Sequence, residues 1–252
     1  MSIEMGIRQD DTWIAVDPVV GCAKNCQYCF LQIYGATPKA GEILLSPDEA
    51  IDNLMNFETY SPGSTIMIGS ETDVFMSKTN INYFTEFIKR YDEREIGNPV
   101  AFVTKCHIPD NFIEMVDNLQ NTKVIYYLSY SGLSKPIEPT TNIERLRQNF
   151  VRLHEAGQDI IHYWRPFLPQ NSSHEKIQEV IDHAAKYAKC TVAAGIKLNP
   201  GILSNVKEYW PELAKANIDF NQVAAVWPEG VRDYLLNYVV KTYPHYPLYW
   251  VN

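Results

Sequence analysis

Short apolar runs alternate with amphipathic runs along most of the chain. The apolar runs predict β-strands over residues 12–20, 65–69, 100–104, 123–129, 159–164 and 191–197. Between them, apolar residues recur at helical spacing, which predicts helices that start near 46 and 141 and helices over 80–91, 110–119 and 175–188. Such near-continuous apolar strands are typical of a parallel sheet that is buried on both faces.

Two of the predicted helices begin with a capping signature. Ser46 is followed by Pro47 and Glu49, which places a cap, a proline at the first helical position and an acid three residues on. The segment 141–144 has the same form, with Thr141 as the capping residue, and Gly157 is expected to end that helix.

The repeated order of strand and helix predicts an α/β fold. Six such units, joined by right-handed crossovers, form a partial (β/α)6 barrel of parallel strands and are too few for a closed eight-stranded barrel. Two helical patches at 202–216 and 228–241 and an aromatic tail at 243–250 follow as an extension, and the tail suggests a lid or an interface. With no linker or repeat, we expect one domain over 1–252, with a core at about 12–202 and an extension at about 203–252.

Composition narrows the class of protein. The 252 residues include 46% hydrophobic and 21% charged residues, as in globular proteins. No apolar run approaches the ~18 residues of a membrane span, and the polar start of the sequence does not resemble a signal peptide. Five cysteines without a secretion signal favour the reducing cytoplasm. A net charge of −8 argues against a large nucleic-acid footprint, although a local basic patch is not excluded.

Three cysteines stand close together, at Cys22, Cys26 and Cys29, in the spacing C-x3-C-x2-C. Thiolates are the usual ligands of iron–sulfur clusters, and a cubane with only three of them leaves one iron open to a chelating cofactor. Cys106 and Cys190 are far away in sequence. A zinc site, which usually takes cysteines in C-x2-C pairs, and three unrelated buried thiols are the alternatives.

The cysteine motif resembles that of the radical S-adenosylmethionine superfamily. Further short segments follow in the order found in its spore photoproduct lyase-like branch: Thr72-Asp73, Ile137-Glu138-Pro139, Glu144-Arg145-Leu146, 153–157 and 165–169. The resemblance implies a 4Fe–4S cluster on Cys22, Cys26 and Cys29, with S-adenosylmethionine on the fourth iron through its amino and carboxylate groups. It also places Tyr28 near the adenine and implies flavodoxin or ferredoxin as the electron donor.

Ligands of parallel α/β folds bind at the carboxyl ends of the strands. The loop 69–73 therefore corresponds to the one that holds the methionine amino group in the family, although it departs from the usual Gly-Gly-Glu form. The cofactor-binding residues implied are Gly69, Ser70, Glu71, Asp73, Ser129, Ser131, Glu138, Arg165, Leu198 and Asn199. Ser129 and Ser131 would meet the ribose or carboxylate, Arg165 would pair with the methionine carboxylate, and 198–202 would wall the adenine.

Each of these assignments has a structural alternative. Glu71 and Asp73 are also suited to capping the following helix, and Glu138 to a solvated loop. Arg165 is equally compatible with a structural ion pair, and Tyr28 with an ordinary core position.

The two remaining cysteines differ in their predicted place. Cys106 follows the third predicted strand, at the carboxyl-end edge of the sheet where ligands are expected. It is therefore a candidate hydrogen-atom donor to a substrate radical, and the alternative is a packing role. Lys105 and His107 beside it are candidates for substrate binding. Cys190 begins the sixth strand at the opposite end, where structural roles are usual.

The leading hypothesis is a radical S-adenosylmethionine enzyme. It would form a 5′-deoxyadenosyl radical and abstract hydrogen from an unidentified substrate, with a small molecule favoured. Without further clustered cysteines, a redox-neutral isomerase, epimerase or lyase reaction is favoured over oxidation. The alternatives are repair or modification of nucleic acid, as in the photoproduct lyase, and a non-catalytic metal-binding protein.

Overall fold

The computed structural model describes residues 6–32, 35, 37–215, 218–220 and 225–251. Ten strands are assigned within these ranges. In chain order they are β1 (Ile7–Gln9), β2 (Trp13–Val16), β3 (Val19–Val20), β4 (Glu42–Ile43), β5 (Thr65–Ile68), β6 (Val100–Thr104), β7 (Val124–Leu128), β8 (Asp159–Trp164), β9 (Cys190–Ala194) and β10 (Leu248–Val251).

Eight α-helices are assigned in the same ranges. They are α1 (Pro47–Met55), α2 (Lys78–Glu93), α3 (Asp110–Asp117), α4 (Ile143–Glu155), α5 (His174–Tyr187), α6 (Pro200–Val206), α7 (Pro211–Lys215) and α8 (Val231–Thr242). Two single-turn 3₁₀ helices cover Phe30–Gln32 and Pro169–Asn171. Within the described part of the chain, no helix is both long and apolar enough to cross a lipid bilayer.

One mostly parallel sheet of eight strands organises the molecule, in the order β1-β2-β5-β6-β7-β8-β9-β10. Neighbours from β2 to β10 run parallel, whereas β1 pairs antiparallel with β2. All six predicted strands are present, and the α/β fold with parallel strands is confirmed. The sheet is open, because β1 and β10 occupy its two edges and do not pair with each other in this strand order.

The structure differs from the sequence prediction at both edges of the sheet. The predicted strand 12–20 is divided into β2 and β3, because Pro18 between them has no N–H to offer to a sheet. The aromatic tail is not a lid: Leu248–Val251 forms β10 and pairs in parallel with β9. Its alternation, with Leu248 and Trp250 packed on the core and Tyr249 exposed, is the pattern of a strand.

The helix caps follow the predictions with one correction. Ser46 and Glu49 form the complete capping box of α1. The N-cap of α4 is Asn142 rather than Thr141, and its side chain accepts the Arg145 N–H at 3.1 Å. Glu144 then falls one position too early to bond back to the cap, so the second capping box is wrong. The predicted stop is confirmed, since Gly157 has a φ of +70° just after α4.

Two apolar clusters form the core. The larger one lies between the sheet and the helices and includes Phe84, Phe87, Phe102 and Phe150. The smaller one lies among the loops at one end of the sheet; its members include Leu133, Leu168, Leu198, Ile202 and Trp210. The predicted patch 202–216 consists of α6 and α7, and its last residue, Ala216, lies outside the described residues.

Candidate active site

A cavity of about 460 Å³ opens at the carboxyl ends of the parallel strands. Five consecutive strands each contribute at least one residue to its wall, from the loop that directly follows the strand or from the strand's end. These residues include Gly69 after β5, Lys105 after β6, Ser129 after β7, Arg165 after β8 and Lys197 after β9. This is the place at which open α/β sheets bind their ligands.

The three clustered cysteines all line this cavity. Cys22 and Cys26 are buried and Cys29 is half-buried, in the loop that follows β3. The base of the loop is fixed by Gly21, whose N–H donates to the Glu71 carbonyl (3.0 Å) and whose carbonyl accepts from Thr72 Oγ1 (2.6 Å). These bonds tie the cysteine loop to the loop after β5.

Burial is the main cause that keeps the cysteine thiols protonated. It raises the pKa of Cys22, together with the Asp73 carboxylate, to about 12, and raises the pKa of Cys26 to about 12 although Lys105 acts in the opposite direction. A bound metal reverses this preference, because only the thiolate is a ligand.

The donor set fits an iron–sulfur cluster by its chemistry, because thiolates are the usual ligands of such clusters. Three cysteines on one cavity wall match a cubane with three protein ligands and one open iron.

The loop after β5 turns sharply beneath the cavity. Gly69 has a φ of +67°, and a Cβ there would meet Phe84 and Val74 at 3.0 Å. Gly69, Ser70, Thr72 and Asp73 line the cavity, whereas Glu71 does not. Asp73 is buried and fully engaged, since it accepts bonds from Thr104 Oγ1 (2.7 Å) and from the N–H groups of Phe75 (3.1 Å) and Lys105 (2.9 Å). The Asp73 carboxylate therefore links the loop after β5 to the end of β6. It does not cap α2, whose N-cap is Ser77.

A buried carboxylate that the sequence analysis missed holds this loop from below. Asp17 is 1% exposed and accepts bonds from Arg8 Nη1 (2.6 Å), Ser70 Oγ (2.8 Å) and the Glu71 N–H (3.0 Å). Burial raises the pKa of Asp17, although the Arg8 charge acts in the opposite direction. Arg8 also donates to Ser70 Oγ (2.7 Å) and pairs with Glu71 (3.4 Å). The sequence feature that could have indicated this carboxylate is an acidic residue within the apolar run 13–20.

A second buried carboxylate supports the opposite wall. Glu138 is 1% exposed, so the solvated alternative is wrong. It accepts hydrogen bonds from the Tyr28 hydroxyl and from Ser131 Oγ (2.6 Å), and it pairs with Lys105 Nζ at 3.0 Å. Tyr28 and Lys105 line the cavity, whereas Glu138 and Ser131 do not. Lys105 also donates to the Ser129 carbonyl (2.9 Å) and lies over the Tyr28 ring, 5.7 Å from its centre.

Arg165 lines the cavity without a carboxylate partner among the described residues. Its guanidinium donates to the Tyr163 hydroxyl (2.5 Å) and lies over the same ring, 5.2 Å from its centre. The structural ion pair is therefore not found, and the planar fork remains free to bind an anion. Arg165 also lies near Cys29, where its charge opposes the burial that raises the pKa of that thiol.

The wall after β9 begins earlier than predicted. Leu198 is buried in the smaller core cluster, and Asn199 caps α6 by accepting the Ile202 N–H at 2.9 Å. Neither residue lines the cavity; Gly195, Ile196, Lys197 and Ile202 do. The shift arises because β9 ends at Ala194 and not at the predicted residue 197, so the rim starts three residues earlier.

Cys106 lies behind the cavity wall and does not line it. It is 8% exposed, and burial raises the pKa of its thiol, although the charge of Lys24, which does line the cavity, acts in the opposite direction. His107 is half-buried beside Arg152 and also lies outside the wall; burial and that charge lower its pKa. Cys190 is buried at the start of β9, at the far end of the sheet from the cavity, as predicted.

Solved structures with the same fold carry S-adenosylmethionine. The chain aligns with a double mutant of spore photoproduct lyase with bound AdoMet and dinucleoside spore photoproduct, with a TM-score of 0.69 and 13% identity over 99% of this chain and 80% of that one. A spore photoproduct lyase complex with the dinucleoside spore photoproduct gives a TM-score of 0.68 and 13% identity over 98% and 80%. Streptococcus suis SuiB bound to S-adenosylmethionine gives 0.63 and 11% over 94% and 50%.

These similarities establish the fold. The chain thus has the fold of spore photoproduct lyase and of SuiB, as the resemblance implied. Comparison with protein-family models and with curated protein sequences found no match.

Proposed function

We propose that this protein is a radical S-adenosylmethionine enzyme. The observation that carries the proposal is the joint placement of Cys22, Cys26 and Cys29 in one cavity at the carboxyl ends of the strands. The fold supports it, because solved structures of the same fold hold S-adenosylmethionine. A 4Fe–4S cluster, when bound, supplies an electron and an open iron for reductive cleavage of S-adenosylmethionine to a 5′-deoxyadenosyl radical.

The residues around the cysteines orient the cofactor and exclude water. Arg165 offers a planar guanidinium to the methionine carboxylate, a geometry that suits bidentate pairing. The loop that contains Gly69 and Ser70 offers acceptors to the methionine amino group, with its position fixed by Asp17 beneath it. Tyr28, held by Glu138, presents its ring to the cavity as a platform for the adenine.

The reaction that we propose is redox-neutral, of the isomerase, epimerase or lyase type. The sequence has five cysteines, and the two outside the cluster motif are separated, so no cysteine set for a second cluster accompanies the first. Reduced flavodoxin or ferredoxin would deliver the electron, in the reducing cytoplasm. A small molecule is the favoured substrate.

A second candidate function is repair or modification of nucleic acid. The observation in its favour is that spore photoproduct lyase, with the same fold, is solved with a dinucleoside spore photoproduct. Against it stands the net charge of −8, since nucleic-acid affinity depends on clustered Lys and Arg.

The test is anaerobic reconstitution with iron and sulfide, followed by reduction in the presence of S-adenosylmethionine. We expect charge-transfer absorption, about four iron atoms per chain and release of 5′-deoxyadenosine. Zinc uptake without visible absorption would support the metal-binding alternative and contradict the proposal. Incubation with the dinucleoside spore photoproduct then separates the two enzymatic functions, because only the repair function restores thymine.

A further inference from the structure

The cavity wall carries more basic than acidic residues, although the protein as a whole has a net charge of −8. It includes five basic residues and two acidic ones: Arg8, Lys24, Lys105, Arg165 and Lys197 against Asp10 and Asp73. A cation in a cleft attracts a ligand of the opposite charge where no carboxylate of the protein already balances it.

Three of these five cations are already engaged by the protein. Arg8 is paired with the buried Asp17 at 2.6 Å, and Lys105 with the buried Glu138 at 3.0 Å. Lys24 donates to the Thr140 carbonyl at 3.5 Å. These side chains fix the wall of the cavity and are not available to balance a bound anion.

Lys197 differs from the others. It is exposed at the cavity wall, and among the described residues no side chain forms an ion pair or a hydrogen bond with it. The backbone beneath it is rigid, because Ile196 pairs with Val226 in both directions (2.8 and 2.9 Å). A Cβ on Gly195 would lie 2.3 Å from the Val226 carbonyl oxygen, so the strand and loop are in close contact. Lys197 thus extends from a hydrogen-bonded backbone segment beside the cavity.

Arg165 and Lys197 end neighbouring parallel strands and provide two separate anion sites. Arg165 lies near Cys29, which suits the carboxylate of the cofactor in the proposed function. From these observations we infer that Lys197 binds an anionic group of the substrate, a carboxylate or a phosphate. This inference rests on the proposed function and specifies its substrate class.

The experiment measures anion binding by isothermal titration calorimetry at low ionic strength, with inorganic phosphate and with acetate as probes. We expect saturable binding of at least one probe to the wild-type chain, and the stronger probe identifies the substrate group. Lys197→Gln should weaken that binding about tenfold, the effect of losing one charge-assisted hydrogen bond. Lys197→Arg should retain it. Lys207→Gln, an exposed change at the end of α6 outside the cavity wall, is the matched control.

Two results would overturn the inference. One is unsaturable binding to wild type, or equal binding to wild type and Lys197→Gln. The other is a Lys197→Gln variant that loses S-adenosylmethionine affinity as much as an Arg165 variant does, because Lys197 would then serve the cofactor. If the chain takes up no cluster yet binds the probe through Lys197, only the proposed function fails. If the chain cleaves S-adenosylmethionine and the Lys197→Gln change leaves binding of the probe unchanged, only this inference fails.

Discussion

Arg8 Nη1 lies 2.6 Å from Asp17 Oδ2, and this pair joins the edge strand β1 to the residue that follows β2. Asp17 also accepts a hydrogen bond from Ser70 Oγ in the loop after β5 (2.8 Å). The Asp17 side chain is 2% exposed and that of Arg8 is 35% exposed. Removing the cation leaves a buried carboxylate without its charge partner, which is among the costlier changes in a protein.

We therefore expect Arg8→Met to lower the free energy of unfolding by roughly 2 kcal/mol at neutral pH, discounted for the exposure of Arg8. Because burial raises the pKa of Asp17 in the folded state, the deficit should shrink as the pH falls and Asp17 takes up a proton. Urea denaturation at several pH values measures this. Arg8→Met with Asp17→Asn should recover most of the loss, whereas Arg90→Met, in an exposed pair with Glu86, should change little. A loss independent of pH would contradict the account.

The cluster cysteines give the most direct prediction. Each of Cys22→Ala, Cys26→Ala and Cys29→Ala should abolish reconstituted iron and 5′-deoxyadenosine formation, because the described cavity wall offers no other cysteine to replace a lost ligand. Iron analysis and chromatography of the products check this. Cys190→Ala, at the far end of the sheet, should retain both. Full iron content in any one of the three variants would rule out that residue as a ligand.

Arg165 is predicted to orient the cofactor. Arg165→Lys keeps the charge but loses the planar fork, so S-adenosylmethionine should bind several-fold more weakly while the iron content stays the same. Equilibrium binding to the reconstituted protein measures the effect. Tyr163→Phe removes the hydroxyl that Arg165 contacts but keeps the ring beneath it, and should have the smaller effect. Unchanged affinity in Arg165→Lys would assign the residue to structure.

Cys106 is predicted to return a hydrogen atom to the substrate radical, which requires its buried thiol to reach the cavity from behind the wall. Cys106→Ala and Cys106→Ser should both cleave S-adenosylmethionine, since neither change touches the cluster. Both should yield abortive products, because neither side chain has a weak bond to hydrogen. Product analysis by mass spectrometry decides the point. Normal product from either variant would return Cys106 to a packing role, which its position behind the wall also allows.

His162 predicts how stability depends on pH. It is fully buried between Thr191 Oγ1 (2.9 Å) and the Tyr130 carbonyl (2.8 Å), and burial lowers its pKa to about 4. The unfolded chain therefore binds a proton between about pH 6.5 and 4 that the folded chain excludes, so acidification destabilises the fold. This residue alone should remove roughly 2 kcal/mol between about pH 7.5 and 5. His162→Gln, compared by urea denaturation, should be less sensitive to pH; an unchanged pH dependence would be inconsistent with a buried neutral imidazole.

Periodic patterns predicted the parallel strands and their helices because those patterns depend on local burial alone. The order of the segments also predicted which loops lie around the cavity, because the carboxyl ends of all parallel strands lie at the same edge of the sheet. The contact of Arg8 with Ser70 could not be predicted, because these residues are 62 positions apart in sequence and meet only through the alignment of an edge strand with the loop after β5. Glu138 was assigned to the cofactor, yet the structure places it behind the wall. Packing decides which side of a loop faces a cavity, and the spacing of residues in the sequence does not show it.

The sheet is open between its edge strands β1 and β10, and this affects access to the cavity. In a closed barrel, every strand is hydrogen-bonded on both sides, so the mouth has a fixed width. Here the two edge strands are free of each other, and a small change of twist distributed over eight strands widens the entrance without breaking a backbone bond. A change in the width of the entrance can therefore be distributed over the twist of the whole sheet, and it does not require that a loop holding the cysteines unfold.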